Sequence, residues 1–322
     1  MQVLFHQIIK KIKNVKDYSL SAIYGWIELT IATTFYHSKT IKNLLVECAQ
    51  KTTKYNFSIV AIVKNESIYI KEWIEYHLLL GINHFYLYDN ESSDNLHEIL
   101  RPYIDKGIVT YIYCPGKKMQ MPAYNDAIAR FKKNSHWMAF IDADEFIVLN
   151  PKYSNQIMKF MEPFENYDML GINWSMFDFN DHETQPQSGF VISNYTRCFA
   201  DDDHPINRHQ KCIVKPSSAK ICINPHHIHL KFGNKAVDEN FQKLTPLLSP
   251  HVNIKKIRIN HYFSKSKEEY LKKINRGKAD ALDKRPFNKS SYDFSQAGTK
   301  QSEVDLSSFI EILQNKIPDT YR

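Results

Sequence analysis

Asp142, Asp144 and Glu145 follow directly on the apolar run Trp137-Met-Ala-Phe-Ile141. A D-x-D pair where a buried strand turns into a loop can bring both carboxylates to one ion. Such oxygens suit a hard divalent cation, Mn2+ or Mg2+, which also takes substrate phosphate oxygens and neutralises a departing diphosphate. Alone, D-x-D is as well read as a solvated acidic turn. Its setting adds weight, because two earlier apolar runs also end in polar residues, at Lys64-Asn65-Glu66 and at Asp89-Asn90. Further on, Asp201-Asp202-Asp203 reads as a solvated loop that could supply a general base. Pro225-His226-His227-Ile-His229 is the densest histidine group; His227 and His229 would share one side of a strand and could form a metal arm. No nearby Cys/His pair has zinc spacing.

The elements that must position these residues alternate. Phe57–Val63, His84–Tyr88, Ile108–Tyr113 and Trp137–Ile141 read as strands. Between them, Ile70–Leu80, Asp94–Tyr103 and Pro122–Lys132 read as helices, the first ended by Gly81 and the third begun by its proline. Strand-helix alternation argues an α/β domain with a mainly parallel sheet, whose ligand crevice lies at the carboxyl ends of the strands. Nine glycines, no two separated by one residue, exclude the dinucleotide fingerprint. Five cysteines at least ten residues apart give no disulfide framework or C-x-x-C pair, which favours a reducing compartment.

The net charge of +7 is unevenly spread: residues 251–290 carry +8 and residues 1–20 carry +3. The early lysines border the apolar stretch 18–36, interrupted by Glu28. An acid at mid-span argues against a crossing helix, leaving an interfacial helix or a packing extension over residues 1–56.

The motifs Val63-Lys-Asn-Glu66, Ile70-Lys-Glu-Trp-Ile-Glu-Tyr-His77, Tyr86-Leu-Tyr-Asp-Asn90, Gln120 and Trp137-Met-Ala-Phe-Ile-Asp-Ala-Asp-Glu-Phe146 resemble family-92-type glycosyltransferases. These are often grouped with bacterial family-2-like enzymes of lipopolysaccharide and capsule synthesis. The resemblance resumes at Lys211-Cys-Ile-Val-Lys-Pro216, Asn224-Pro-His-His-Ile-His229 and Asn260-His-Tyr-Phe-Ser-Lys265 onward to Gly277, covering roughly residues 57–290 and leaving 291–322 as a helical tail. It implies a GT-A nucleotide-sugar-binding fold and a metal-dependent hexosyltransferase that inverts its UDP-linked donor sugar. Lys64, Asn65, Glu66, Asp89 and Asn90 would hold base and ribose, with Gln120, Lys211 and Lys265 also on the donor. Asp142 and Asp144 would meet Mn2+ or Mg2+, His261 would complete the metal shell, and Glu145 would brace the loop or the donor sugar. A glycan or lipid-linked acceptor, in the cytoplasm at the inner membrane face, is expected from the same resemblance together with the basic amino terminus, with the histidine group as an acceptor-side wall or scaffold.

Inversion needs a carboxylate base, for which Asp178, Asp181, Asp202 and Asp238 all stand open. Relatives tend to carry a glycine-serine-rich turn where this chain has Trp174-Ser-Met-Phe-Asp-Phe-Asn-Asp-His182, so acceptor specificity does not carry over. Glu268–Lys272 and Glu269–Lys273 read as i,i+4 pairs on a solvated helix face. Lys265, ahead of that helix, is placed to meet a diphosphate, with helix amino-terminal N–H groups beside it. A membrane-associated inactive scaffold and a nucleic-acid-binding protein are the alternatives. The second has basic ends and 13% aromatic residues but no basic-aromatic recognition motif.

Overall fold

In a computed structural model describing residues 53–153, 155–246, 248–276 and 298–317, β1 (Tyr55–Val63) is buried from Phe57 onward. Both faces of this strand are covered, which is why its sequence is continuously apolar rather than alternating. It lies between β2 (His84–Asp89) and β4 (Ser135–Phe140), parallel to both, and β2 pairs in parallel with β3 (Val109–Tyr113). The crossovers are α1 (Ile70–Leu79), α2 (Leu96–Asp105) and α3 (Gln120–Phe131). Each of these seven elements begins and ends within two residues of its sequence reading. Pro122 falls third in α3 rather than first, a position whose N–H also lacks an intrahelical partner.

Beyond β4 the sheet becomes mixed. The strands that follow are β5 (Glu145–Leu149), β6 (Met169–Met176), β7 (Arg197–Phe199), β8 (Gln210–Val214), β9 (Ala219–Asn224), β10 (His227–Leu230), β11 (Ala236–Val237), β12 (Ile257–His261) and β13 (Thr299–Gln301). The described helices after α3 are α4 (Ile157–Met161), α5 (Val191–Asn194), α6 (Lys267–Arg276) and α7 (Ser307–Lys316). The main sheet runs β3-β2-β1-β4-β8-β6-β12-β5, with β11 on β6. Its ladders are parallel at β1/β2, β1/β4, β2/β3, β6/β12 and β6/β11, and antiparallel at β4/β8, β6/β8 and β5/β12. The expected α/β class with a mainly parallel sheet is therefore what the chain adopts. Two ribbons, β9/β10 and β7/β13, flank it.

Two features aim the acidic loop. Helix α1 presents Ile70, Trp73, Ile74 and His77 at helical spacing to the core. Trp73 Nε1 donates to the Glu145 carbonyl at 2.8 Å, Tyr76 Oη to the Ile147 carbonyl at 3.0 Å, and the Ile147 N–H to His77 Nε2 at 3.2 Å. Three side chains of one helix thus clamp the backbone that leaves the D-x-D loop. From the other side, the Tyr262 N–H donates to the Asp144 carbonyl at 2.9 Å, fixing the loop to the end of β12.

Near the carboxyl end, β13 joins β7, and α7 stacks Phe309 on Tyr76 with centroids 4.6 Å apart. Among the described residues no helix is long and apolar enough to cross a membrane. The lysine-flanked stretch 18–36 lies outside the described residues.

Candidate active site

The acidic loop does not stand open; Lys211 answers Asp142 and Glu145, and a second lysine answers Asp144. Asp142 Oδ2 receives Lys211 Nζ at 2.8 Å, and its Oδ1 receives Gln120 Nε2 at 2.9 Å. Lys211 comes from β8, which the sheet order inserts beside β4, and only 1% of it is exposed. Its Nζ also lies 3.4 Å from Glu145 Oε2, which accepts the Asp142 N–H at 2.9 Å. Burial alone would discharge Lys211, but Asp142 and Glu145 outweigh it and hold its pKa well above the usual range. Burial, reinforced by Asp142 and Asp144, pushes Glu145 up to about 8.

Asp144 faces the other way. Its Oδ1 lies 3.5 Å from His261 Nε2, and its Oδ2 is held by Lys273 Nζ from α6. Burial opposes ionisation there, yet Lys273 and His261 carry the pKa well below the usual carboxylate range. His261 itself is shifted downward by burial, against an upward pull from Asp144. Behind it, the Trp174 ring is 4.3 Å from His261, 4.8 Å from His209 and 5.1 Å from His226.

Asp144 Oδ1 and His261 Nε2 are donor types that Mn2+ and Mg2+ accept, so this pair fits a divalent ion. The expected set of three is not assembled: Asp142 is committed to Lys211 and Gln120. Among the described residues no group of three His, Cys, Asp or Glu side chains is drawn together closely enough to hold a metal.

The other strand ends are stitched to one another. Asn65, at φ 56°, donates its N–H to Ser92 Oγ and accepts the Ser93 N–H on Oδ1 at 2.7 Å. Asp89 accepts from Tyr111 Oη at 2.5 Å and from the Ser92 N–H at 2.9 Å. Asn90 Nδ2 donates to the carbonyls of Cys114 and Gly116. Glu66 Oε2 receives Lys265 Nζ at 3.3 Å, and Lys265 also lies 3.7 Å above the Tyr69 ring.

Two expectations need correction. The amino terminus of α6 is not free for an anion. Ser266 and Glu269 bond reciprocally as a capping box, while the Lys267 and Glu268 N–H groups donate to His182 and Glu183 carbonyls. Glu269 and Lys273 do not pair, because the cap and the Tyr69 and Tyr195 hydroxyls capture Glu269. Lys273 therefore turns to Asp144, a role that its i,i+4 spacing concealed. The four carboxylates left open as the base make contacts of their own. Asp202 pairs with Lys300, Asp178 and Asp181 with Arg197, and Asp238 caps the turn at Asn240 and Gln242. Of the histidine group, His227 and His229 pack on each other on β10, whereas His226 reaches Trp174.

The family model for glycosyltransferase family 92 matches residues 57–299. The chain belongs to that family. A family 92 protein of Oryza sativa subsp. japonica is 26% identical over 57% of this chain and 31% of its own length. A galactan beta-1,4-galactosyltransferase, GALS3 of Arabidopsis thaliana, is 28% identical over 42% of this chain and 29% of its own. The chain spans about a third of the length of these curated family 92 relatives. They are plant proteins and lend no support to the expected lipopolysaccharide or capsule role. Among solved structures, S. aureus TarS 1-349 in complex with UDP aligns at 17% identity over 41% of this chain and 38% of that one, with a TM-score of 0.32.

Proposed function

We propose that this chain is a metal-dependent glycosyltransferase that moves a hexose, with inversion, from a UDP-linked donor to a glycan acceptor. The observation that carries this is Asp144 Oδ1 facing His261 Nε2 at 3.5 Å at the carboxyl end of β12. Asp144 and His261 would hold a divalent ion, which supplies charge neutralisation for the departing diphosphate. Lys211 keeps Asp142 oriented beside that pair, and Glu145 fixes the loop through the Asp142 N–H. Lys265, over Tyr69 and paired with Glu66, stands at the first strand end with an ammonium for the phosphates or ribose. The galactan galactosyltransferases among the relatives put galactose first among donor sugars and a β-linked galactan first among acceptors.

The nucleic-acid reading loses ground, since Lys265, Lys267, Lys272 and Lys273 of the basic segment are ion-paired with Glu66, Glu183, Glu268 and Asp144. Contact of the lysine-flanked amino-terminal stretch with a membrane surface stays part of the proposal.

The test is a screen of sugar nucleotides for nucleoside diphosphate release with Mn2+, with and without galactan oligosaccharides. Release that needs the metal supports the reading. No release from any sugar nucleotide removes it.

A further inference from the structure

The two aspartates of the loop are neutralised by lysines of different character. Lys211 is a strand residue, 1% exposed and fixed between Asp142 and Glu145. Lys273 sits on the surface helix α6 with 19% of its side chain exposed, and it reaches Asp144 at the end of a long flexible stem. Among the described residues its ammonium also meets the Phe263 carbonyl at 3.1 Å and the Phe263 ring with its centroid at 3.9 Å. These would keep it placed if Asp144 were taken from it.

A cation meeting Asp144 and His261 must contend with that ammonium. A divalent ion and an ammonium a few ångströms apart in a partly buried site repel strongly. The metal and Lys273 therefore compete for the Asp144 carboxylate.

We propose that Lys273 is a placeholder for the divalent ion: it keeps Asp144 charged and oriented until metal arrives and then yields the carboxylate to it. This rests on the metal-dependent reading above. The displaced ammonium, retained by Phe263, then stands beside the ion where the diphosphate oxygens gather. Metal alone binds weakly because it must evict a lysine. Metal with nucleoside diphosphate binds well because the evicted lysine gains an anion.

The test measures binding of Mn2+ alone to the full chain, by electron paramagnetic resonance of the free ion, without nucleotide. Lys273→Met keeps a long unbranched apolar side chain and removes the charge. Lys273→Arg keeps the charge. The expected result is at least tenfold tighter Mn2+ binding by Lys273→Met than by the native protein, with Lys273→Arg resembling the native protein. Adding UDP should tighten Mn2+ binding more in the native protein than in Lys273→Met. Lys273→Gln serves as the second neutral variant should the first melt early. Equal Mn2+ affinity in native and neutral variants overturns the proposal. So does loss of Mn2+ binding in the neutral variants, which would make Lys273 a support for Asp144 alone. Native turnover of a sugar nucleotide that persists in a chelator overturns it too, by making Lys273 the resident cation. Native turnover that requires Mn2+ keeps the glycosyltransferase reading intact whichever way the binding comparison falls.

Discussion

Glu145 Oε1 and His261 Nδ1 face each other at 3.9 Å, and neither has a hydrogen-bond partner. Their backbones explain the meeting: His261 on β12 lies directly opposite Glu145 on antiparallel β5, and residues so paired project to the same face. With its proton on Nδ1, a neutral imidazole would point that proton at Glu145 and leave the Nε2 lone pair toward Asp144. Under the metal-dependent reading, Glu145 would set the tautomer while Asp144 shares the ion, the division of labour usual around metal-bound histidines.

Glu145→Gln should therefore weaken Mn2+ binding in the presence of UDP by about 10- to 100-fold, the range for removing a partner behind a metal ligand. His261→Ala, which deletes the ligand itself, should cost more. Isothermal titration of both variants decides the order, and equal losses would show that Glu145 does not act through His261.

Asp144→Ala should abolish turnover while leaving the protein folded. Losing a carboxylate on the ion forfeits several kcal/mol of charge stabilisation, about 10³-fold in rate. The fold is spared because Lys273, partly exposed on α6, can take its ammonium back to water. Diphosphate release and a thermal melt on the same preparation check both halves; a fully active variant would remove the central claim.

Lys211→Met should behave differently, unfolding at lower urea concentration. Its ammonium is the charge between Asp142 and the fully buried Glu145, and deleting one partner of a buried pair costs about 3 kcal/mol. Urea titration measures this, and a midpoint unchanged from the native protein would mean that Lys211 carries no structural charge.

What was legible in the sequence follows the range of the interactions. β1, β2 and β4 could be read because each is a short apolar run stopped by polar residues close to the strand end, and β3 because Pro115 and Gly116 follow it. The D-x-D loop was visible for the same reason. The neighbours that define its chemistry arrive through pairings 69 and 129 residues apart, Lys211 on Asp142 and Lys273 on Asp144. No local spacing encodes those. Lys211 was marked by the family resemblance alone, and Lys273 was disguised because four residues from Glu269 is also the spacing of an ordinary surface pair. The antiparallel register of β5 and β12, which brings Glu145 to His261, likewise depends on strands 112 residues apart in the chain.

His77 supplies a pH test of the clamp behind the site. Its Nδ1–H donates to the Trp73 carbonyl at 2.8 Å and its Nε2 accepts the Ile147 N–H, so both nitrogens are used only by the neutral ring. Burial lowers its pKa from 6.5 to about 3, against a smaller upward pull from the Trp73 carbonyl. The folded value lies below the unfolded one, so between them the unfolded chain binds more protons than the native one. This contribution is complete above about pH 6.5 and is lost as the pH falls toward 3, by up to about 1.4 kcal/mol per unit. Burial likewise lowers His84 to about 4 and His226 to about 3, and they add slope in the same direction. His77→Gln removes only its own share. The unfolding free energy of that variant, measured in urea from pH 7.5 to 4, should fall less steeply than that of the native protein, by up to one proton's worth. Parallel curves would mean that the imidazole is not held neutral, and the hydrogen bonds that tie α1 to Ile147 would need another donor and acceptor.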